Sequence, residues 1–275
     1  MSIFRRTLTA GAMLWLGLGA AQAQLPPLPA TIRDAGVLRA GVRCDQPPYG
    51  FRGPDGGFAG VEVEMARQMA AYAFGSRDKI DLQCVTAENR IPQLNARRVD
   101  LLIATLGITP ERARVIDFSE PYRWGGSDLL VRRDSPIRVL DDARNRNVIM
   151  LRGTTQALWF DANWPGMSTM RLNTISDGLQ SLIQGRGDAL AGDAATLIVI
   201  AARDQNLRMV GEIFALSDAA VGLRKNEPEW MAWINAALSR MKAENLYNGW
   251  IEAVVAPEIR QSYLDAFNAP RPPSR

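Results

Sequence analysis

From Val37 to about Ile200 the chain alternates short apolar runs with stripes of apolar residues at helical spacing, and it does so twice. In the first unit, residues 37–42, 80–84 and 101–104 read as strands. Met65, Ala66, Met69, Ala70 and Ala73 fall on one helix face, and residues 91–97 read as a further helix. The run Leu-Leu-Ile-Ala at 101–104 is apolar at every position, a pattern strands show when both faces of their sheet are covered. A second unit starts after residues 128–131. Residues 148–151 and 188–191 read as its strands, Leu179, Leu182 and Ile183 as one helix face, and Asp193 as the start of a helix bearing Leu197, Ile198 and Ile200. Repeated strand and helix fold economically into parallel sheets flanked by helices, so the expected class is α/β.

Around residues 214–218 the pattern resets. A strand-like run at 219–223 is followed by Asn226, Pro228 and Glu229, which read as cap, first-turn proline and capping-box acid of a long helix with the stripe Trp230, Ile234, Ala237, Leu238 and Met241. The expected division is a first lobe over 24–128, a second over 129–218, and a return to the first over 219–268. Crossings near 128–132 and 216–220 would form a hinge. Residues 269–275, rich in proline and without an apolar pattern, are expected to be disordered.

The N-terminus carries Arg5 and Arg6, an apolar segment around residues 14–18, and Ala21-Gln-Ala23, the small-x-small form of a signal-peptidase site. Residues 1–23 are therefore expected to be removed, leaving a chain that starts at Gln24 in the periplasm. Taking the two arginines of this segment from 32 basic residues leaves 30 against 29 acidic ones. That near balance gives no basis for nucleic-acid or membrane-surface binding. There is no histidine, which excludes Ser-His-Asp and Cys-His catalysis and disfavours zinc, so neither a metal nor another cofactor is expected. The two cysteines, Cys44 and Cys84, each end an expected strand. They fit either one disulfide or two buried thiols that never meet.

Ligands of open α/β sheets bind beyond the carboxyl ends of the strands, where helix N-termini offer amide donors. The residues at those places are Arg43 and Asp45, Glu88 and Arg90, Thr105, Gly107 and Arg112, then Gly153, Thr154 and Thr155, and finally Asp193. Several arginines with an isolated acid complement a small zwitterion carrying extra negative charge. Arg112 follows Thr109, a possible helix cap, and Pro110, suited to the first turn. Its guanidinium can hold a carboxylate through two parallel hydrogen bonds or pair on the surface with Asp117 or Glu120. Asp193 can equally serve as a plain N-cap.

Taken in order, these pieces resemble the family-3 solute-binding proteins, the periplasmic amino-acid receptors of ABC uptake systems. The resemblance runs from Leu38 to about Val255. It rests on Pro48-Tyr49 with the sequence GVEVEMA at 60–66, on NRIPQL at 89–94, on ITPER at 108–112 through DFSEPY at 117–122, on RGTT at 152–155, and on GDALAGD at 187–193. It implies a two-domain hinged fold of the type II periplasmic binding proteins. It also implies a monomer that closes over one amino acid and delivers it to an ABC permease, with no covalent chemistry.

In such proteins the arginine matching Arg112 grips the α-carboxylate, the turn matching 153–155 adds donors, and the aspartate matching Asp193 accepts from the α-ammonium. Gly107 departs from the usual serine or threonine, and Thr105 is a possible substitute. Receptors for glutamate and aspartate are similar in placing a basic residue where Arg43 stands and an arginine where Arg90 stands, so an acidic amino acid is expected, with Tyr49 as a possible aromatic wall. The alternatives are a dehydratase acting on arogenate-like or other cyclohexadienyl acids on the same fold, and a receptor feeding a sensor protein.

Overall fold

The structure, a computed structural model, describes residues 25–272. The expected signal segment, the start at Gln24 and the last three residues of the tail lie outside the described residues. In chain order the elements begin with α1 (Ala30–Arg33), β1 (Leu38–Val42), β2 (Asp45–Gln46), β3 (Gly50–Arg52), β4 (Phe58–Ala59), α2 (Val61–Phe74), β5 (Ile80–Cys84), α3 (Arg90–Asn95), β6 (Leu101–Ile103), α4 (Pro110–Ala113) and β7 (Asp117–Arg132). They continue with β8 (Val148–Leu151), α5 (Thr155–Asn163), β9 (Thr169–Leu172), α6 (Ile175–Ile183), β10 (Ala189–Asp193), α7 (Ala194–Arg203), β11 (Leu207–Met209), β12 (Phe214–Leu223), α8 (Pro228–Ala243), α9 (Leu246–Val254) and α10 (Arg260–Asn268).

The main sheet runs β5-β1-β6-β12-β7-β10-β8-β9, with β11 alongside β7. Strands β5, β1 and β6 are parallel to one another, as are β10, β8 and β9. The long antiparallel pair β7 and β12 joins the two halves, so the sheet bends through two continuous strands. This is the two-lobed α/β arrangement expected from the sequence.

Alternation explains why the strand runs are apolar throughout. Leu101 and Ile103 enter one core with α2 and α8, while Leu102 faces a second core with Val85, Leu94 and Val99. In the other lobe Val148 and Met150 pack on one face of β8, and Ile149 and Leu151 on the other. Each such side chain contributes about 1.5–3 kcal/mol by leaving water, and no position of these strands is left for a solvated residue.

Three local findings refine the sequence reading. Cys44 and Cys84 form a disulfide, 40 residues apart in sequence with Cα atoms 5.5 Å apart. It follows from the pairing of β1 with β5, which sets Val42 beside Cys84. Helix α8 begins at Pro228 with Glu227 rather than Asn226 at the cap position, and no side chain caps it. Asn226 instead adopts a left-handed turn at φ +64°, and its amide donates to Asp117 Oδ2 at 3.2 Å. Among the described residues no helix is long and apolar enough to cross a membrane.

Candidate functional site

A cleft lies where the two lobes meet. Arg43, Arg90, Thr105 and Gly107 reach it from the first lobe, and Thr154, Thr155 and Asp193 from the second. Tyr49, Arg112 and Gly153 do not line its wall.

Arg43 follows β1 and is buried, and its Nε and Nη2 both donate to Asp45 Oδ1, at 3.0 and 2.7 Å. The other oxygen of Asp45 accepts from the Ile175 amide at the N-terminus of α6, in the opposite lobe, at 3.2 Å. A carboxylate is favoured at a helix N-terminus, so this pair also ties the lobes together. Arg90, at the start of α3, sends Nη1 to the carbonyls of Ala104 and Thr105, at 2.6 and 3.1 Å, and Nη2 to the Gly153 carbonyl across the cleft at 3.3 Å. Glu88 does not pair with it. The Arg90 Nε is buried without a partner.

Arg112 is neither exposed nor paired with Asp117 or Glu120. Thr109 caps its helix by accepting from the Arg112 amide at 3.3 Å. The buried guanidinium donates to the carbonyls of Gly107 at 2.5 Å and, across the lobes, of Gly153 at 2.8 Å. Asp117 is occupied by Lys225 instead, and Arg114 is exposed. Gly153 has φ +71°, and a Cβ there would fall 2.7 Å from the Ala87 carbonyl oxygen of the first lobe. Next in the turn, Thr154 caps α5 by accepting from the Ala157 amide at 3.3 Å.

Thr105 sits in a left-handed conformation at φ +50°, and both its amide and hydroxyl donate to Glu62 Oε2, at 2.8 and 3.1 Å. Tyr122 donates to the other Glu62 oxygen at 2.6 Å. This buried carboxylate in the first turn of α2 thus anchors the cleft floor. Gly107 has its own reason to lack a side chain. A Cβ there would meet Thr155 Cγ2 at 2.9 Å and Ser217 Oγ at 3.1 Å, so the space of the missing hydroxyl is shared by groups from α5 and β12. Asp193 both caps α7, accepting from the Thr196 amide at 3.2 Å, and faces the cleft.

Sequence reasoning missed Arg123, Gly125, Ser127, Gln156 and Ser217, all of which line the cleft. Gln156 donates to Ser127 Oγ at 2.8 Å. Arg123 lies in β7 with its side chain buried, 3.5 Å from Asp193 Oδ2 and 3.9 Å from Glu62 Oε1, its guanidinium 3.9 Å above the Tyr49 ring. That places Tyr49 beneath an arginine and not against the cleft. The signal available in the sequence was an arginine between two aromatic residues and before Gly125-Gly126, inside a strand that the hinge requires.

The electrostatics are unbalanced. Arg43, Arg90, Arg112 and Arg123 face Asp45, Glu62 and Asp193, and each of these acids already accepts from protein donors. Burial pushes the Arg90 guanidinium well below its ordinary value, with Arg112 and Arg43 adding repulsion. Burial likewise lowers Arg112 to about 10. The acids and tyrosines around Arg123 outweigh its burial and raise it. Guanidiniums disfavoured in their charged form, with only carbonyls as partners, make a site that attracts an anion.

Comparison with known proteins agrees with this architecture. The family model for bacterial extracellular solute-binding proteins, family 3, matches residues 38–253. A glutamine-binding protein of Geobacillus stearothermophilus is 33% identical over 196 residues, 70% of this chain and 75% of its own. The ABC transporter glutamine-binding protein of Bacillus subtilis is 29% identical over 229 residues, 81% of this chain and 84% of its own. Among solved structures, the solute receptor for L-cysteine of Neisseria gonorrhoeae has a TM-score of 0.81 at 28% identity, covering 85% of this chain and 95% of that one. Other relatives are named for L-cystine, glutamate and arginine. One solved neighbour, 26% identical with a TM-score of 0.75 over 82% of this chain and 98% of its own, is an ancestral amino-acid-binding protein described as a precursor of cyclohexadienyl dehydratase.

Proposed function

The chain belongs to the bacterial extracellular solute-binding proteins of family 3, amino-acid-binding components of ABC uptake systems, and from that premise we propose that its ligand is an acidic amino acid, glutamate or aspartate. The observation that carries this reading is the excess of buried guanidiniums over carboxylates around the cleft. A zwitterion adds no net charge and leaves one cation uncompensated. A second ligand carboxylate offsets it, and a buried charge without a counter-charge costs several kcal/mol. In this reading Arg112 and Arg90 attract the carboxylates, Thr154, Thr155 and Gly107 supply hydroxyl and amide donors, and Asp193 accepts from the α-ammonium. Closure of the lobes over the ligand presents one shape to a membrane permease.

Glutamine is a second reading, favoured by one contact: the charge of Arg43 is already paired with Asp45, through Nε and Nη2. An amide could then meet Gln156 and Ser127, which are uncharged. A dehydratase reading has weaker support, because the cleft carboxylates are all engaged by protein donors and no histidine is present to move a proton.

Thermal denaturation of ligand-stripped protein against the amino acids tests the proposal. Ligand at 100 times its dissociation constant should add about 2.7 kcal/mol. Glutamate or aspartate should raise the midpoint more than glutamine. A rise with glutamine alone moves the assignment to the second reading, and turnover of prephenate or arogenate would revive the enzyme.

A further inference from the structure

Within the amino-acid-receptor reading, we infer that Arg123 is a specificity-determining residue that sets the sign of charge the cleft accepts. It comes from within the hinge strand β7, not from a strand end, and it lines the cleft. Its side chain is 2% exposed, held 3.9 Å above the Tyr49 ring and between two acids, 3.5 Å from Asp193 and 3.9 Å from Glu62. The longer contact is beyond hydrogen-bond reach, and Arg123 Nε has no hydrogen-bond partner.

The backbone has made room for this group. A Cβ on Gly125 would fall 2.7 Å from Arg123 Nη1 while keeping an ordinary 3.6 Å from Asp193 Oδ2. The glycine therefore gives the guanidinium its place beside the aspartate.

The consequence follows from counting the charges that face one another. With Arg123 present, Asp193 and Glu62 share a cation, and Arg90 and Arg112 remain with carbonyl partners only. Without it, Asp193 at the cleft wall and the buried Glu62 lose the cation they share, and the surplus of positive charge disappears. The same walls would then repel a second ligand carboxylate and accept a neutral or cationic side chain. Arg123 thereby decides ligand class by neutralising the acids that would otherwise oppose an anion, whether or not it touches the ligand.

The test is the ratio of affinities for glutamate and its neutral isostere glutamine, measured by isothermal titration calorimetry on the mature protein. Arg123→Gln should shift that ratio toward glutamine by at least tenfold. Arg123→Lys, which keeps the charge, should stay within about threefold of wild type. Gly125→Ala, which crowds the guanidinium off its place, should shift the ratio in the same direction as Arg123→Gln, and it decides the matter if Arg123→Gln fails to fold.

An unchanged ratio in Arg123→Gln, or an equal loss for both ligands in Arg123→Gln and Arg123→Lys, overturns the inference and leaves a structural arginine. A wild-type preference for glutamine would instead sink the acidic-ligand reading, while the shift on substitution still judges Arg123.

Discussion

Gly153→Ala separates the cost of bringing the lobes together from the cost of folding each lobe. Gly153 holds φ at +71°, and a Cβ in that conformation costs about 1–2 kcal/mol. This penalty is local to the turn before α5 and is present whether the lobes are together or apart. The second penalty exists only when they meet. The added Cβ would lie 2.7 Å from the Ala87 carbonyl oxygen and 2.9 Å from Ala87 C and Glu88 Cα, all backbone atoms of the first lobe that cannot rotate aside.

Forcing an extra methyl into such a contact costs about 1–3 kcal/mol. The Gly153 carbonyl also accepts from Arg112 and Arg90, so any retreat of the turn lengthens both bonds. At about 1.4 kcal/mol per tenfold, closure and therefore ligand affinity should weaken by roughly 5- to 150-fold. Isothermal titration calorimetry reads this loss, while chemical denaturation of the ligand-stripped variant should show only the local penalty. An affinity within twofold of wild type would refute the contact between this turn and Ala87 in the ligand-bound protein.

Arg112→Ala should abolish binding of every amino acid in calorimetry, because its guanidinium is central to both lobes, whereas Arg43→Ala should weaken acidic ligands selectively; loss of acidic ligands alone in Arg112→Ala would mean the two roles are exchanged. Reducing Cys44–Cys84, which closes a separation of 40 residues, should lower stability by about 4 kcal/mol on the chain-entropy model; an unchanged urea midpoint with both thiols titratable would rule that out. Asp128 in β7 is raised by burial to about 6, against backbone donors that lower it. The folded state therefore holds this proton between pH 4 and 6 where the unfolded chain has released it, so its contribution to stability is lost as pH rises through about 6. Urea denaturation at pH 4.5 and pH 7 should show this loss, on the order of 1–3 kcal/mol, and Asp128→Asn should remove it; the same pH dependence in the variant would exclude Asp128 as its source.

The strands and helices of both lobes were legible because their runs follow from burial on one or two faces, a local property of sequence. What depends on partners far along the chain was not. Asn226 looked like a helix cap since it precedes Pro228, but its partner, Asp117, lies in β7 and fixes it as a left-handed turn. Arg112 looked free to pair with Asp117 or Glu120, and its true acceptors are two carbonyls, one from each lobe. Arg123 escaped notice for a different reason. It stands within a strand that passes from one lobe to the other, where no strand end marks it as a cleft residue.

The shared use of the Gly153 carbonyl bears on why ligand binding and closure should be one event. Arg112 and Arg90 come from the first lobe, and both donate to this one oxygen of the second. A carbonyl carries only a partial charge, so two buried guanidiniums gathered on it are poorly compensated, as the lowering of both shows. Closing the second lobe over these two cations strips water from them and offers a single carbonyl in its place, a cost that rises as water leaves. A ligand carboxylate between these arginines would reverse the sign of that cost, since its attraction to both also grows as the dielectric falls. The closed arrangement is then favoured in proportion to the ligand's differential affinity for it.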